Sequence, residues 1–266
     1  MQGVAESAEL AVHDLAKHYG GLRAVDGISF AVAGGEILGI VGPNGAGKTT
    51  LFDVVTGLTR ATSGDVRLDG ASLAGASVHR RCHLGIVRTF QQPTLAGSMS
   101  IRDNVLLGCY FGRPGAHWQD LPTDLEDHAD SILRLTGLAD RADLVAGPLG
   151  IFDRKRTMLA SALAAGPRVL LLDEPFGGLN PKEIDATLEL ISSVRALGVA
   201  IVCIEHVMRA LVQLADRVLV MHHGATLFEG SSREMLADRR VNEVYLGKGG
   251  NGGNGNGSAA GGNTDG

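Results

Sequence analysis

The sequence predicts an α/β fold: a core with a mostly parallel sheet, an N-terminal antiparallel β subdomain and an inserted α-helical subdomain. Three observations predict it. Apolar strand-like runs alternate with helical stretches along most of the chain, the pattern of a parallel sheet covered by helices. A Gly-rich loop stands directly between one buried run and a helix. Between about residues 94 and 165 the strand signals fade and helical periodicity replaces them.

Residues 1–246 read as one domain, and its elements follow in order. "LAVHDLAKHY", "GG" and "AVDGISFAVAGGEILGIVG" predict antiparallel strands that feed a buried strand over Ile37–Val41. A helix is predicted from Lys48 to about Leu58, with Gly57 near its C-terminal end. "SGDVRLDG" adds a short strand and a turn. In "DLEDHADSILRLTGLADRADL" the spacing of Leu125, Ala129, Ile132, Leu133 and Leu135 assigns them to one helix face of the insertion. Strands return at "RVLLLDEP", "VAIVCIEH" and "RVLVMHHGATLFEG", with a helix over 181–197 between the first two. Residues 247–266 are half Gly with nothing large and apolar, so they cannot offset their ordering entropy and are expected to form a disordered Gly/Asn-rich tail.

At 266 residues the chain is long enough to bury a sizeable core. A net charge of −5 lacks the basic surplus of a nucleic-acid-binding face, so no nucleic acid is expected as a partner. Cys82, Cys109 and Cys203 have neither the paired spacing of a zinc site nor the even number of a disulfide framework, and fit a reducing compartment. The N-terminal stretch "MQGVAESAELAVHDL" has no basic segment followed by an apolar one. No window approaches the roughly 18 apolar residues that span a bilayer, so any work at a membrane is expected to need other chains to cross it.

The loop "GPNGAGKTT", Gly42 to Thr50, contains G-x-x-x-x-G-K-[ST]. Glycines such as Gly42, Gly45 and Gly47 let the backbone curl so that successive N–H groups point at phosphate oxygens, and the following helix adds the positive end of its dipole. Pro43, Asn44, Ala46 and Thr50 complete that cradle. Lys48 is placed to neutralise the β- and γ-phosphates of a nucleotide and Thr49 to put its hydroxyl on Mg²⁺. In "LLLDEP", Asp173 ends an apolar strand and is placed to hold the Mg²⁺ water shell beside Thr49. Glu174 follows, placed to orient or deprotonate an attacking water. A nucleotide and Mg²⁺ are therefore the expected cofactors.

With those residues in place, the chain resembles the ATP-binding subunit of ABC transporters, a P-loop NTPase of ABC type, over essentially residues 9–246. Within that family it is similar to the branched-chain amino acid importer group, through "YGGLRAVDGISF", "GPNGAGKTTLFDVVTG", "VRTFQQP", "LLLDEPFGGLNPKE", "IEH" and "VNEVYLG". The resemblance implies that Tyr19 stacks its ring on adenine; as a strand residue it has the alternative of being only half-buried packing. It implies that Gln91 reaches Mg²⁺ and the water and joins the core to the insertion, with Gln92 as the competing assignment one residue on. Gly178, Leu179 and Asn180 match a loop that crosses to a partner subunit. His206 matches a switch histidine on the γ-phosphate, whereas His222 and His223, beside a turn at Gly224, receive no chemical role.

The family's "LSGGQ"-like signature, which binds the γ-phosphate held by the opposite subunit, is altered here. Counting back from Asp173 without a gap places Leu149, Gly150, Ile151, Phe152 and Asp153 in it, with the serine and a glycine lost. Alternatively Pro148, Leu149 and Gly150 match an "LPLG" variant followed by a short basic run, with two residues such as Phe152 and Asp153 inserted; in either alignment Arg154, Lys155 and Arg156 are the expected start of the helix. In either alignment Asp153 would repel a phosphate unless turned away.

The resemblance implies an ATPase motor subunit bound peripherally to the cytoplasmic face of the inner membrane. Its implied partners are transmembrane permease subunits, a second ATP-binding subunit and, indirectly, an extracytoplasmic solute-binding protein. The altered signature points to a heterodimer, with a homodimer as the alternative. The implied cargo is a branched-chain or related amino acid. Two rival readings stand beside it: a non-transport cytosolic ABC ATPase, and a binding-only or weakly hydrolysing subunit, the latter opposed by intact Glu174 and His206.

Overall fold

The computed structural model describes residues 9–112 and 124–246, without the side chains of residues 245 and 246. The expected tail, 247–266, lies outside the described residues. The strands in chain order are β1 (Glu9–Tyr19), β2 (Leu22–Ala33), β3 (Ile37–Val41), β4 (Ser63–Leu68), β5 (Ala71–Ser72), β6 (Ile86–Arg88), β7 (Val169–Asp173), β8 (Ala200–Ile204), β9 (Arg217–His222) and β10 (Ala225–Gly230). They form two sheets. One is antiparallel, in the order β2-β1-β4-β5. The other runs β10-β9-β3-β8-β7-β6, parallel from β9 to β6, with β10 added antiparallel at one edge through the β9–β10 hairpin.

The parallel strands are short and apolar because both faces are covered, and successive side chains point to opposite sides. In β7, Val169 and Leu171 enter the same cluster as Leu38 and Ile40 of β3. That cluster also takes Leu51, Phe52 and Val55 of α1 (Lys48–Thr56) and much of the antiparallel sheet. Leu170 and Leu172 face the other way, against Ile184, Leu188 and Ile191 of α6 (Pro181–Ala196). Helix α1 stops at Thr56, two residues short of the predicted end, because Gly57 turns left-handed at φ +81° and closes the last turn on the Val54 carbonyl.

Between β6 and β7 the chain builds a helical body from α3 (Ile101–Gly112), α4 (Asp124–Leu135) and α5 (Ile151–Ala164). A short helix, α2 (Val78–His83), precedes β6. The helical body has its own core, in which Ile101, Val105 and Cys109 meet Leu125, Ala129 and Leu133 and the Ala160 and Ala164 stripe of α5. Leu125, Ala129 and Leu133 are the buried line of α4, each four residues apart. Leu135, grouped with them by spacing, is exposed: two residues past Leu133 it lies more than half a turn round the helix. Helix α5 also begins earlier than the basic run. Gly150 is its N-cap and Ile151 its first residue, three residues ahead of the expected start at Arg154.

Candidate functional site

The loop between β3 and α1 is shaped by glycines that cannot be replaced. Gly47 sits at φ +101°, and a Cβ there would lie 2.0 Å from the Ala24 carbonyl oxygen. A Cβ at Gly42 would lie 2.3 Å from the Met221 carbonyl. The loop is thus pressed between β2 and the end of β9. Gly47 is the N-cap of α1 without a side-chain cap, and no acidic residue stands in the first turn, so the positive end of the helix is left for an anion. Lys48 is buried, and its ammonium donates to the Gly42 carbonyl at 2.6 Å and to the Pro43 carbonyl at 3.1 Å. Burial pulls its pKa below the ordinary lysine value, opposed by the charges of Glu174 and Asp173.

Gly47 and Lys48 wall a cavity of about 630 Å³, together with Asn44, Gly45, Ala46, Thr49, Thr50, Gln91, Glu174 and His206. Glu174 follows β7 with φ +50°, a left-handed backbone rare for a non-glycine residue. It is fixed there because its N–H donates to the Ile204 carbonyl and Lys155 of α5 donates to its own carbonyl at 2.6 Å. The carboxylate is thereby aimed into the cavity. Its Oε2 accepts from the Gln91 amide at 2.7 Å, and its Oε1 lies 2.8 Å from His206 Nε2. Asp173, 6% exposed in its side chain, sits one residue back and accepts at Oδ2 from Arg88. The structure therefore brings together Lys48, Thr49, Gln91, Glu174 and His206, and sets Asp173 behind them; Gln92 is exposed and is not among the lining residues.

Tyr19 stands apart. It ends β1, about half exposed, with the Lys17 ammonium 4.7 Å from its ring centre, and the cavity wall on that side is made by Leu22, Arg23 and Ala24 instead. Three features escaped the sequence. His223, given no chemical role by the sequence, lines the cavity from the hairpin turn at φ +48°, its ring centre 4.0 Å from that of His222 and its plane tilted by 52°. Glu205, 1% exposed, accepts from the backbone N–H groups of Phe176, His206 and Val207 and so joins β7 to β8 behind Glu174. Arg88 carries the third, a fork between two carboxylates. A buried charge leaves no mark in composition; only "IEH" and "VRTFQQP" as strings held the signal.

The donor set fits Mg²⁺. Thr49, Gln91 and Asp173 offer oxygens only, and among the described residues no group of three or more His, Cys, Asp or Glu could hold a metal by itself. An ion held by one or two protein oxygens and completed by phosphate and water is the usual Mg²⁺ arrangement.

At the start of α5 the altered signature has a definite conformation. Gly150 caps the helix with no side chain to contribute, and Ile151 is exposed. Phe152 packs under the Arg156 guanidinium, 4.7 Å from its ring centre. Asp153 is turned into an ion pair with Arg141 at 2.6 Å. In the next loop Asn180 caps α6 through a reciprocal capping box with Glu183, and Gly178 lies beside Ile151.

A two-sheet α/β core, a phosphate loop entering α1, and a carboxylate pair at the end of a buried strand define an ATP-binding cassette. Comparison with known proteins gives the same answer. A family model described as "ABC transporter" matches residues 25–177. The chain is 33% identical, over 90% of its length and 98% of the relative's, to the high-affinity branched-chain amino acid transport ATP-binding protein BraF of Pseudomonas aeruginosa. It is 31% identical, over 91% and 98%, to the lipopolysaccharide export system ATP-binding protein LptB of Escherichia coli K12. A solved ATP-binding cassette of an ABC transporter in its ADP conformation superposes with a TM-score of 0.82 at 29% identity, covering 90% of this chain and 99% of that one. The chain belongs to the ABC transporter ATP-binding family, and is an ATPase subunit of a transporter.

Proposed function

We propose that this chain is the ATP-hydrolysing motor of an importer for branched-chain or related amino acids, seated on the cytoplasmic face of the cell membrane against transmembrane permease subunits. The observation that carries turnover is the Glu174 carboxylate, held between Gln91 and His206 at the mouth of the phosphate loop. Mg²⁺, when bound at Thr49 and Asp173, supplies charge neutralisation between the β- and γ-phosphates. Lys48 shares that neutralisation. Glu174 releases one of its two contacts to take a water and its proton, and His206 turns from Glu174 to the γ-phosphate. Tyr19 stacks on the adenine from the end of β1.

Among the described residues no helix is long and apolar enough to cross a membrane, so the permease must come from other chains. A groove of about 290 Å³ between the core and the helical body, walled by Phe90, Leu95, Leu107 and Met158, lies next to Gln91 and is the place for a permease segment. The importer assignment is supported by BraF and by the importer-group strings in the sequence; LptB, almost as similar, supports the transporter reading without the cargo.

The second ATP-binding subunit is a different chain. With Gly150 bare, Phe152 and Ile151 in place of small residues and Asp153 acidic, α5 offers a poor contact to the γ-phosphate of a facing protomer. The homodimer would carry that defect twice. A heterodimer keeps one complete site, built from Lys48, Asp173, Glu174 and His206 here and an intact signature opposite. Glu174→Gln, assayed with the second chain present, is expected to bind ATP as the parent does and to lose turnover by about 10²–10⁴-fold. Undiminished hydrolysis would overturn the assignment.

A further inference from the structure

Arg88 ends β6, three residues before Gln91, and its side chain is 5% exposed. One guanidinium nitrogen donates to Asp53 of α1 at 2.6 Å and the other to Oδ2 of Asp173 at 2.7 Å. The group lies between two rings, 5.3 Å from the centre of Phe52 and 5.1 Å from that of Phe90. Its Nε is buried and has no hydrogen-bond partner. This side chain accepts an unmet donor while serving two carboxylates on two elements, so its position is dictated by the fork and not by its own satisfaction. Oδ1 of Asp173 accepts from no described group, which leaves one defined oxygen of this carboxylate for another ligand.

We propose that Arg88 is the positioning residue that fixes the rotation of the Asp173 carboxylate toward the metal, and that Phe90 links it to the groove in which a partner sits. The inference rests on the ATP and Mg²⁺ reading above. Ligating carboxylates are commonly held by an outer hydrogen bond, and removing such a partner typically lowers metal affinity about 10–100-fold. A lysine cannot replace the fork, because a compact ammonium does not present two parallel donors to two carboxylates. Phe90 is 44% exposed on the groove wall while its ring lies against Arg88. A segment that displaces the ring therefore acts on the guanidinium and, through it, on Asp173.

The test uses the full chain with a non-hydrolysable ATP analogue and reads Mn²⁺ binding by electron paramagnetic resonance, beside analogue binding in EDTA and the melting temperature. Arg88→Ala and Arg88→Lys are expected to keep analogue affinity in EDTA within about twofold and to raise the Mn²⁺ half-saturation concentration about tenfold or more. Phe90→Ala is expected to shift it the same way by a smaller factor. Where Arg88→Ala does not fold, Arg88→Lys decides. A folded Arg88 variant that saturates with Mn²⁺ at the parental concentration would overturn the positioning role, and a Phe90→Ala protein indistinguishable from the parent would overturn the link to the groove. A parent that binds no nucleotide would overturn the underlying ATP reading together with this one.

Discussion

At the scale of single residues, the site is a set of charges whose partners are backbone as often as side chains. Lys48 is held by loop carbonyls, Glu174 by a lysine on its own carbonyl, and Glu205 by three N–H groups. Glu205 shows what this implies for stability. Hydrogen bonds to a charged group contribute about 1.5–3 kcal/mol each, and unpaired buried donors cost about as much. Glu205→Ala leaves the N–H groups of Phe176, His206 and Val207 without their acceptor, and is expected to lower unfolding free energy by about 3 kcal/mol or more in urea titration. It is also expected to depress turnover, since both Glu174 and His206 flank the bonds that are lost. A variant as stable as the parent would mean that water replaces the carboxylate at no cost, against its burial. The phosphate loop, Asp173 and Glu174 were readable because their chemistry requires fixed residue types at fixed spacing, whereas Arg88 and Glu205 act through contacts 85 and 29 residues away in sequence.

At the scale of elements, periodicity located strands and helices well where both faces or one clear stripe is buried. β3, β7 and β8, buried throughout, emerged as predicted. Ends were less legible, because they depend on backbone conformation: a left-handed Gly57 cut α1 short, and Gly150 started α5 three residues before the basic run. The packing of α3 on α5 was invisible in the sequence, since it depends on two glycines, Gly108 and Gly112, whose lack of a Cβ lets α3 close on Ser161 and Ala165. A Cβ at Gly108 would lie 2.0 Å from the Ser161 carbonyl oxygen, so the two backbones meet there. Gly108→Ala is expected to force α3 and α5 apart and to destabilise by about 1–3 kcal/mol, read as a lower melting temperature. Neither Gly108 nor Ser161 lines the phosphate cavity, so ATP binding is expected to survive in the folded fraction. An unchanged melting temperature would contradict the close approach.

At the scale of the whole molecule, the proposed motor needs two surfaces around ATP, the phosphate-loop face of one chain and the signature face of the other, and in this chain the two are unequal. The face with the phosphate loop and Glu174 is complete in its residues, while the face at the start of α5 has a bare Gly150, bulky Ile151 and Phe152, and an Asp153 drawn to Arg141. The sequence showed the loss of the signature residues and left its alignment open; the structure adds that α5 is capped at Gly150, ahead of the basic run. The measurement that tests the account most directly is steady-state ATP hydrolysis by the purified chain across a range of concentrations. It is run alone and with a second ATP-binding chain of intact signature, beside Lys48→Ala and Glu174→Gln. The account predicts nucleotide binding without turnover when the chain is alone, and turnover on adding the second chain that both substitutions abolish. Turnover by the chain alone, rising with the square of its concentration and lost in both variants, would show that the altered signature works in a homodimer and would contradict it.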